Sequence, residues 1–128
     1  MRLLLDTHVL LWALSSPERL TVTVRDKLRD SANDVGVSSV SAAELAVKQS
    51  IGKLRLPGPV TTWLPPVLRA MSFKEVPLHL ADASRLEDLP WLHRDPFDRL
   101  LIAQALGGWT LVSSDELVRR YDVPTLWD

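Results

Sequence analysis

The chain has 128 residues, no cysteine, 15 basic and 16 acidic side chains, and a formal charge of −1. That length allows one domain, residues 1–128, with a real core and no second folding unit. The lack of cysteine excludes disulfides, thiolate metal sites and a cysteine nucleophile, and the balanced charge excludes capture of nucleic acid by a global positive field, leaving only local basic patches for that purpose.

With 46% hydrophobic and 24% charged residues the composition is that of a soluble globular protein. No apolar run approaches the roughly 20 residues that a membrane helix needs, so no membrane association is expected. The N-terminus enters a strand without a basic segment or cleavage site, and a cytoplasmic location is expected.

Leu3, Leu4 and Leu5 form an apolar run without polar alternation, the pattern of a parallel strand buried on both faces. Asp6 stands at its carboxyl end, and Leu10, Leu11 and Leu14 then share a helical stripe, with Asp6 or Thr7 suited to the N-cap. A loosely amphipathic helix is expected over residues 21–32, a β-branched strand over 35–40, and a helix opened by Ser41 and running to about Ser50. The proline-rich stretch 52–66 reads as a connection, with Pro65 and Pro66 in the first turn of a helix that reaches Met71. Residues 73–78 form a third strand with Pro77 near an edge or its end, and 79–89 a short helix. Asp95-Pro96-Phe97-Asp98 starts the clearest helix of the chain, closed by Gly107-Gly108. A strand over 110–114, a short helix over 115–120 and a last strand within 123–127 complete the series. Strands alternating with helices predict an α/β three-layer sandwich whose central sheet is mostly parallel and flanked by helices.

Asp6, Glu44, Asp98 and Asp115 each fall in the first turn of a predicted helix, and three of those helices follow a strand directly. Helix capping accounts for each singly: Ser41-x-x-Glu44 matches a capping box, Asp95 precedes Pro96 as an N-cap, and Asp115 suits the same role. Capping does not account for their common destination. Parallel strands bring their carboxyl ends to one rim, where clustered carboxylates need a counter-charge to remain ionised. An all-oxygen set without cysteine suits Mg²⁺ or Mn²⁺, and such ions serve phosphoryl and phosphodiester chemistry.

Four ordered stretches carry a resemblance that spans nearly the whole chain: residues 4–12 (LLDTHVLLW), residues 39–46 (SVSAAELA) with Lys48, residues 93–105 (HRDPFDRLLIAQA) and residues 111–115 (LVSSD). Through them the chain resembles the PIN-domain ribonucleases, in particular the VapC-type toxins of bacterial toxin–antitoxin pairs. The resemblance implies a metal site of Asp6, Glu44, Asp98 and Asp115, Mg²⁺-dependent cleavage of RNA, a homodimer, and inhibition by a cognate antitoxin. It departs at His8, where many PIN domains have asparagine. On this reading Asp6 and Asp98 hold the principal metal, and Glu44 is a further ligand or the acceptor of the water proton. Asp115 completes the site or binds through water, and Ser113 orients a carboxylate or a metal-bound water. Asp95 is given to capping because aligning the helix by Ile102-Ala103-x-Ala105 selects Asp98.

Arg94, Arg99, Lys48, Lys53 and Arg55 are candidates for pairing with RNA phosphates, Arg99 foremost, although Lys48 lies four residues after Glu44 and suits a helical ion pair. Of the five tryptophans, Trp12 is assigned to packing, and Trp91, in its loop, is the best candidate for stacking on a base. Two other acid-rich α/β classes fit less well. A phosphoacceptor receiver needs a late lysine, and the last one here is Lys74; a haloacid-dehalogenase-type phosphatase needs a second aspartate where His8 stands. A non-catalytic PIN-like scaffold that binds partners through the same surface is the remaining alternative.

Overall fold

A computed structural model describes all 128 residues. Its single sheet has the order β3-β2-β1-β4-β5, built from β1 (Arg2–Leu5), β2 (Asp34–Ser38), β3 (Lys74–Val76), β4 (Thr110–Val112) and β5 (Thr125–Leu126). Every pairing is parallel, including that of the short β5. The seven α-helices are α1 (Thr7–Ser15), α2 (Val22–Arg29), α3 (Ser39–Ser50), α4 (Val60–Met71), α5 (Leu80–Ser84), α6 (Pro96–Ala105) and α7 (Glu116–Arg119). No helix is long and apolar enough to cross a membrane.

The uninterrupted leucines of β1 follow from its central place. Leu3 and Leu5 face one layer, with Val9, Leu10, Leu45, Leu64 and Leu68, while Leu4 faces the other, with Leu101, Ile102, Leu111 and Val118. Period-two alternation of side chains feeds both layers from one strand. Burying each such leucine contributes about 1.5–3 kcal/mol of transfer free energy.

Gly36 in β2 has a specific reason. A Cβ there would lie 2.6 Å from Val76 Cγ2 and 2.9 Å from the Trp109 ring, whose face also carries the Arg2 guanidinium at 4.1 Å. The sheet thus depends on a missing side chain to admit an indole.

The strands and the helix over 79–89 are shorter than or offset from those expected, and three helix boundaries differ for a visible physical reason. Helix α2 ends at Arg29, and Val22 and Ala32 are exposed instead of facing inward, so only Val24 of that helix is buried. Helix α3 begins at Ser39, because Ser38 caps it by accepting from Val40 N at 3.0 Å. The Ser41-to-Glu44 capping box therefore does not form; Ser41 is buried and accepts instead from Thr7 Oγ1 at 2.9 Å. Helix α4 starts at Val60, five residues before Pro65, so Pro65 and Pro66 lie inside it. The carbonyls that these prolines leave without a partner four residues on belong to Thr61 and Thr62, both exposed to solvent. Burial of Leu64 and Leu68, with Trp63 packed at the edge of the same cluster, holds the helix in spite of its prolines.

Candidate functional site

Successive connections leave β1 toward β2 and β3 on one side, and toward β4 and β5 on the other. The carboxyl ends of β1 and β4 therefore form the switch point at which an open parallel sheet has its crevice. Asp6 follows β1 directly, and Ser113 and Asp115 follow β4. Asp6 N donates to Val112 O at 3.0 Å, which carries the β1–β4 pairing as far as the acid.

Asp6 occupies the N-cap position of α1 but makes no side-chain cap bond, and it is only 4% exposed. Its Oδ2 accepts from Ser113 Oγ at 2.7 Å, and its Oδ1 has no partner. Burial raises the Asp6 pKa; the Ser113 bond and the His8 charge oppose this, and the Glu44 charge adds to it. His8 itself is exposed.

Glu44 sits one turn into α3, not in its first turn, because Ser38 caps the helix. It is 2% exposed. Its Oε2 accepts from Lys48 Nζ at 2.5 Å, and its Oε1 is unpartnered. That bond holds the Lys48 ammonium above its ordinary pKa, with the charges of Glu44, Asp95 and Asp98 adding to the effect. Lys48 is thus an ion-pair partner of the acid rim.

Asp98 lies in the first turn of α6, behind Pro96. Burial, then the charge of Asp6, push its carboxyl from 3.8 up to about 6; the His93 hydrogen bond opposes this, and Asp95 and Asp115 add smaller increments. Asp95 Oδ1 accepts from Phe97 N and Asp98 N at 2.9 and 3.1 Å, so it caps α6. Asp115 Oδ1 accepts from Leu117 N at 2.8 Å and caps α7, with its side chain exposed. Ser113 is fully buried; besides donating to Asp6, its Oγ accepts from Asp115 N at 3.1 Å and so ties the two acidic turns together.

The four acids are near enough for the Glu44 charge to act on Asp6 and those of Asp6 and Asp115 to act on Asp98, but they do not close on one point: no three His, Asp or Glu side chains converge as a complete metal-ligand set. Lys48, Ser113 and His93 each satisfy one oxygen, on Glu44, Asp6 and Asp98 respectively. The residues fit a hard divalent cation in their chemistry, since the donors are all oxygen and two buried carboxylate oxygens have no hydrogen-bond partner.

Arg99 is a correction. It is 3% exposed, and its guanidinium donates to Pro90 O at 2.7 Å, Tyr121 Oη at 2.9 Å and Leu89 O at 3.1 Å. A guanidinium already committed to three acceptors and buried under Trp91, 3.8 Å from the ring, does not meet an RNA phosphate. Lys53, Arg55 and Arg94 are exposed. Trp91 is 74% exposed, with its covered face on Arg99; Trp12 and Trp127 pack together 5.8 Å apart at the edge of the core.

Sequence reasoning missed His93 and Tyr121. His93 Nε2 lies 3.1 Å from Asp98 Oδ2, and its Nδ1 lies 2.8 Å from Tyr121 Oη. His93 opens one of the four stretches that carry the resemblance and stands five residues ahead of Asp98, but nothing local connects it to Tyr121. A cleft of about 630 Å³ opens at the opposite end of the sheet beside Arg25, Asp34 and Lys74 and holds none of the four acids.

The parallel sheet and the acids at its switch point define an α/β domain whose crevice is lined by carboxylates. The PIN domain family pattern matches residues 3–124, and the chain belongs to that family. It is 32% identical to ribonuclease VapC22 of Mycobacterium tuberculosis over 129 aligned residues, covering 97% of each chain. Among solved structures its fold is similar to VapBC2 from Rickettsia felis bound to a DNA fragment from the promoter (TM-score 0.74, 18% identity, 100% of both chains). It is also similar to DNA-bound VapBC from Salmonella typhimurium (TM-score 0.69, 13% identity, 98% of this chain and 97% of that one).

Proposed function

We propose that this chain is a divalent-metal-dependent endoribonuclease that hydrolyses RNA phosphodiester bonds and acts as the toxin of a VapBC-type toxin–antitoxin pair. One observation carries the reading: two buried carboxylates, Asp6 and Glu44, sit at the switch-point crevice with Asp6 Oδ1 and Glu44 Oε1 unpartnered. Burying charged oxygens without partners is costly, and a cation-binding role accounts for keeping them. The 32% identity to a ribonuclease along the whole chain supports the reaction, and the VapBC assemblies among its structural neighbours support a cognate VapB-like antitoxin as partner. A homodimer and a cytoplasmic setting go with that reading.

Asp6, Glu44, Asp98 and Asp115 would hold the ion, Mg²⁺ or Mn²⁺. When bound, it supplies charge neutralisation at the scissile phosphate and a lowered pKa for the attacking water. Ser113 keeps Asp6 turned into the crevice and away from its cap position. Glu44, with one free oxygen, accepts the water proton or serves as a further ligand. A water oxygen forms the new bond to phosphorus, the bond to the ribose 3′ oxygen breaks, and that oxygen takes a proton from solvent, leaving 5′-phosphate and 3′-hydroxyl ends. Exposed Lys53, Arg55 and Arg94 are the cations available to RNA phosphates.

The alternative, a partner-binding scaffold without catalysis, accounts for neither the unpartnered oxygens nor the presence of all four acids. Asp6→Asn and Glu44→Gln should each abolish Mg²⁺-dependent cleavage of RNA with the circular dichroism spectrum unchanged. Undiminished cleavage by both purified variants would refute the assignment.

A further inference from the structure

Tyr121 Oη has three neighbours. It accepts from Arg99 Nη1 at 2.9 Å and from the His93 backbone N at 3.2 Å, and it lies 2.8 Å from His93 Nδ1. The first two are obligatory donors: a guanidinium holds its protons throughout the working range, and a backbone amide has no acceptor lone pair. A phenol has two lone pairs and one proton. With both lone pairs occupied, the phenol proton remains for the third neighbour, so His93 Nδ1 is the acceptor. The neutral imidazole then carries its hydrogen on Nε2, which faces Asp98 Oδ2 at 3.1 Å.

We infer that Arg99 and Tyr121 lock His93 in the Nε2–H tautomer, making it a positioning residue that donates to Asp98 Oδ2 and leaves Oδ1 to face the crevice. The inference rests on the nuclease reading above for what Asp98 does, but the tautomer rests on the hydrogen-bond geometry alone.

The lock is well supported mechanically. Arg99 is the residue after Asp98 on α6, and its bonds to Leu89 O and Pro90 O tie the loop that carries His93 to that helix. Trp91 closes over the guanidinium at 3.8 Å. Tyr121, 4% exposed, follows α7 and packs its ring edge-on against His93, with centroids 5.3 Å apart. Loop, α6 and the segment after α7 thus meet at one imidazole. A histidine held through its far nitrogen fixes the ring and the direction of its bond to the acid. Outer partners of this kind typically change metal affinity or activity by about 10–100-fold when removed.

Long-range ¹H–¹⁵N correlation on the metal-free protein reads the tautomer directly. The wild type should show a bare Nδ1 and a protonated Nε2, and Tyr121→Phe should shift His93 toward a mixture. Titration with Mn²⁺ should show His93→Ala binding about tenfold or more weakly, and His93→Gln, whose amide can donate to the same oxygen, recovering most of the loss. If Tyr121→Phe fails to fold, the wild-type spectrum still decides the tautomer. A protonated Nδ1 in the wild type, or unchanged Mn²⁺ affinity in His93→Ala, overturns the role given to His93. A wild type that neither binds Mn²⁺ nor cuts RNA overturns the nuclease reading and, with it, the consequence drawn for Asp98.

Discussion

Ser113 Oγ donates a 2.7 Å hydrogen bond to Asp6 Oδ2 across 107 residues of sequence, joining the turn after β1 to the turn after β4. The serine is fully buried, so its removal leaves Asp6 with a second unsatisfied oxygen. Ser113→Ala should cost about 1–3 kcal/mol in urea unfolding and should lower RNA cleavage with Asp6 still present. Wild-type stability and rate in this variant would show that the bond does not position the acid.

The raised carboxyl of Asp98 sets a pH dependence. Its folded pKa, about 6, lies above its ordinary 3.8, so between these values the folded state binds the extra proton. Its contribution to stability is therefore fully present below about pH 4 and is lost as pH rises through about 6. In chelator, Asp98→Asn should be more stable than wild type at pH 7, with the advantage gone at pH 4. Thermal melts at both pH values check the sign, and an advantage independent of pH would contradict it.

Lys48 provides Glu44 with its counter-charge. Lys48→Met should destabilise the metal-free protein at neutral pH by about 1–2 kcal/mol, less than for a fully buried pair because the lysine is part-exposed. Adding Mg²⁺ should narrow the gap between the two melting temperatures, since a bound cation replaces the missing charge. A gap unaffected by Mg²⁺ would separate Lys48 from the metal role.

Arg99 and Arg94 should behave differently on RNA. Arg94→Ala should weaken RNA binding and lower the salt slope by about one, as expected for a lost phosphate contact. Arg99→Met should leave the salt slope unchanged and reduce stability, because it strips the carbonyls of Leu89 and Pro90 and the Tyr121 hydroxyl of their donor. Binding isotherms at several salt concentrations separate the two effects.

Local patterns determined much of this protein. The leucine run of β1 suits two buried faces, Asp95 followed by Pro96 is a favoured helix start, and Asp6 and Asp115 stand near strand ends because each apolar run stops there. These are properties of a few adjacent residues, and so they are legible in sequence. The tertiary structure decided the rest. Ser38 took the cap of α3 and placed Glu44 a turn deeper; core burial of Leu64 and Leu68 carried α4 through two prolines. Arg99, expected foremost among the partners of RNA phosphates, turned inward because acceptors from Leu89, Pro90 and Tyr121 meet it there. The His93–Tyr121 contact spans 28 residues and Ser113–Asp6 spans 107, distances closed only by the tertiary fold, the second by the pairing of β1 with β4. Helical and strand periods fix which face a side chain takes; which partner waits on that face is set by elements far along the chain.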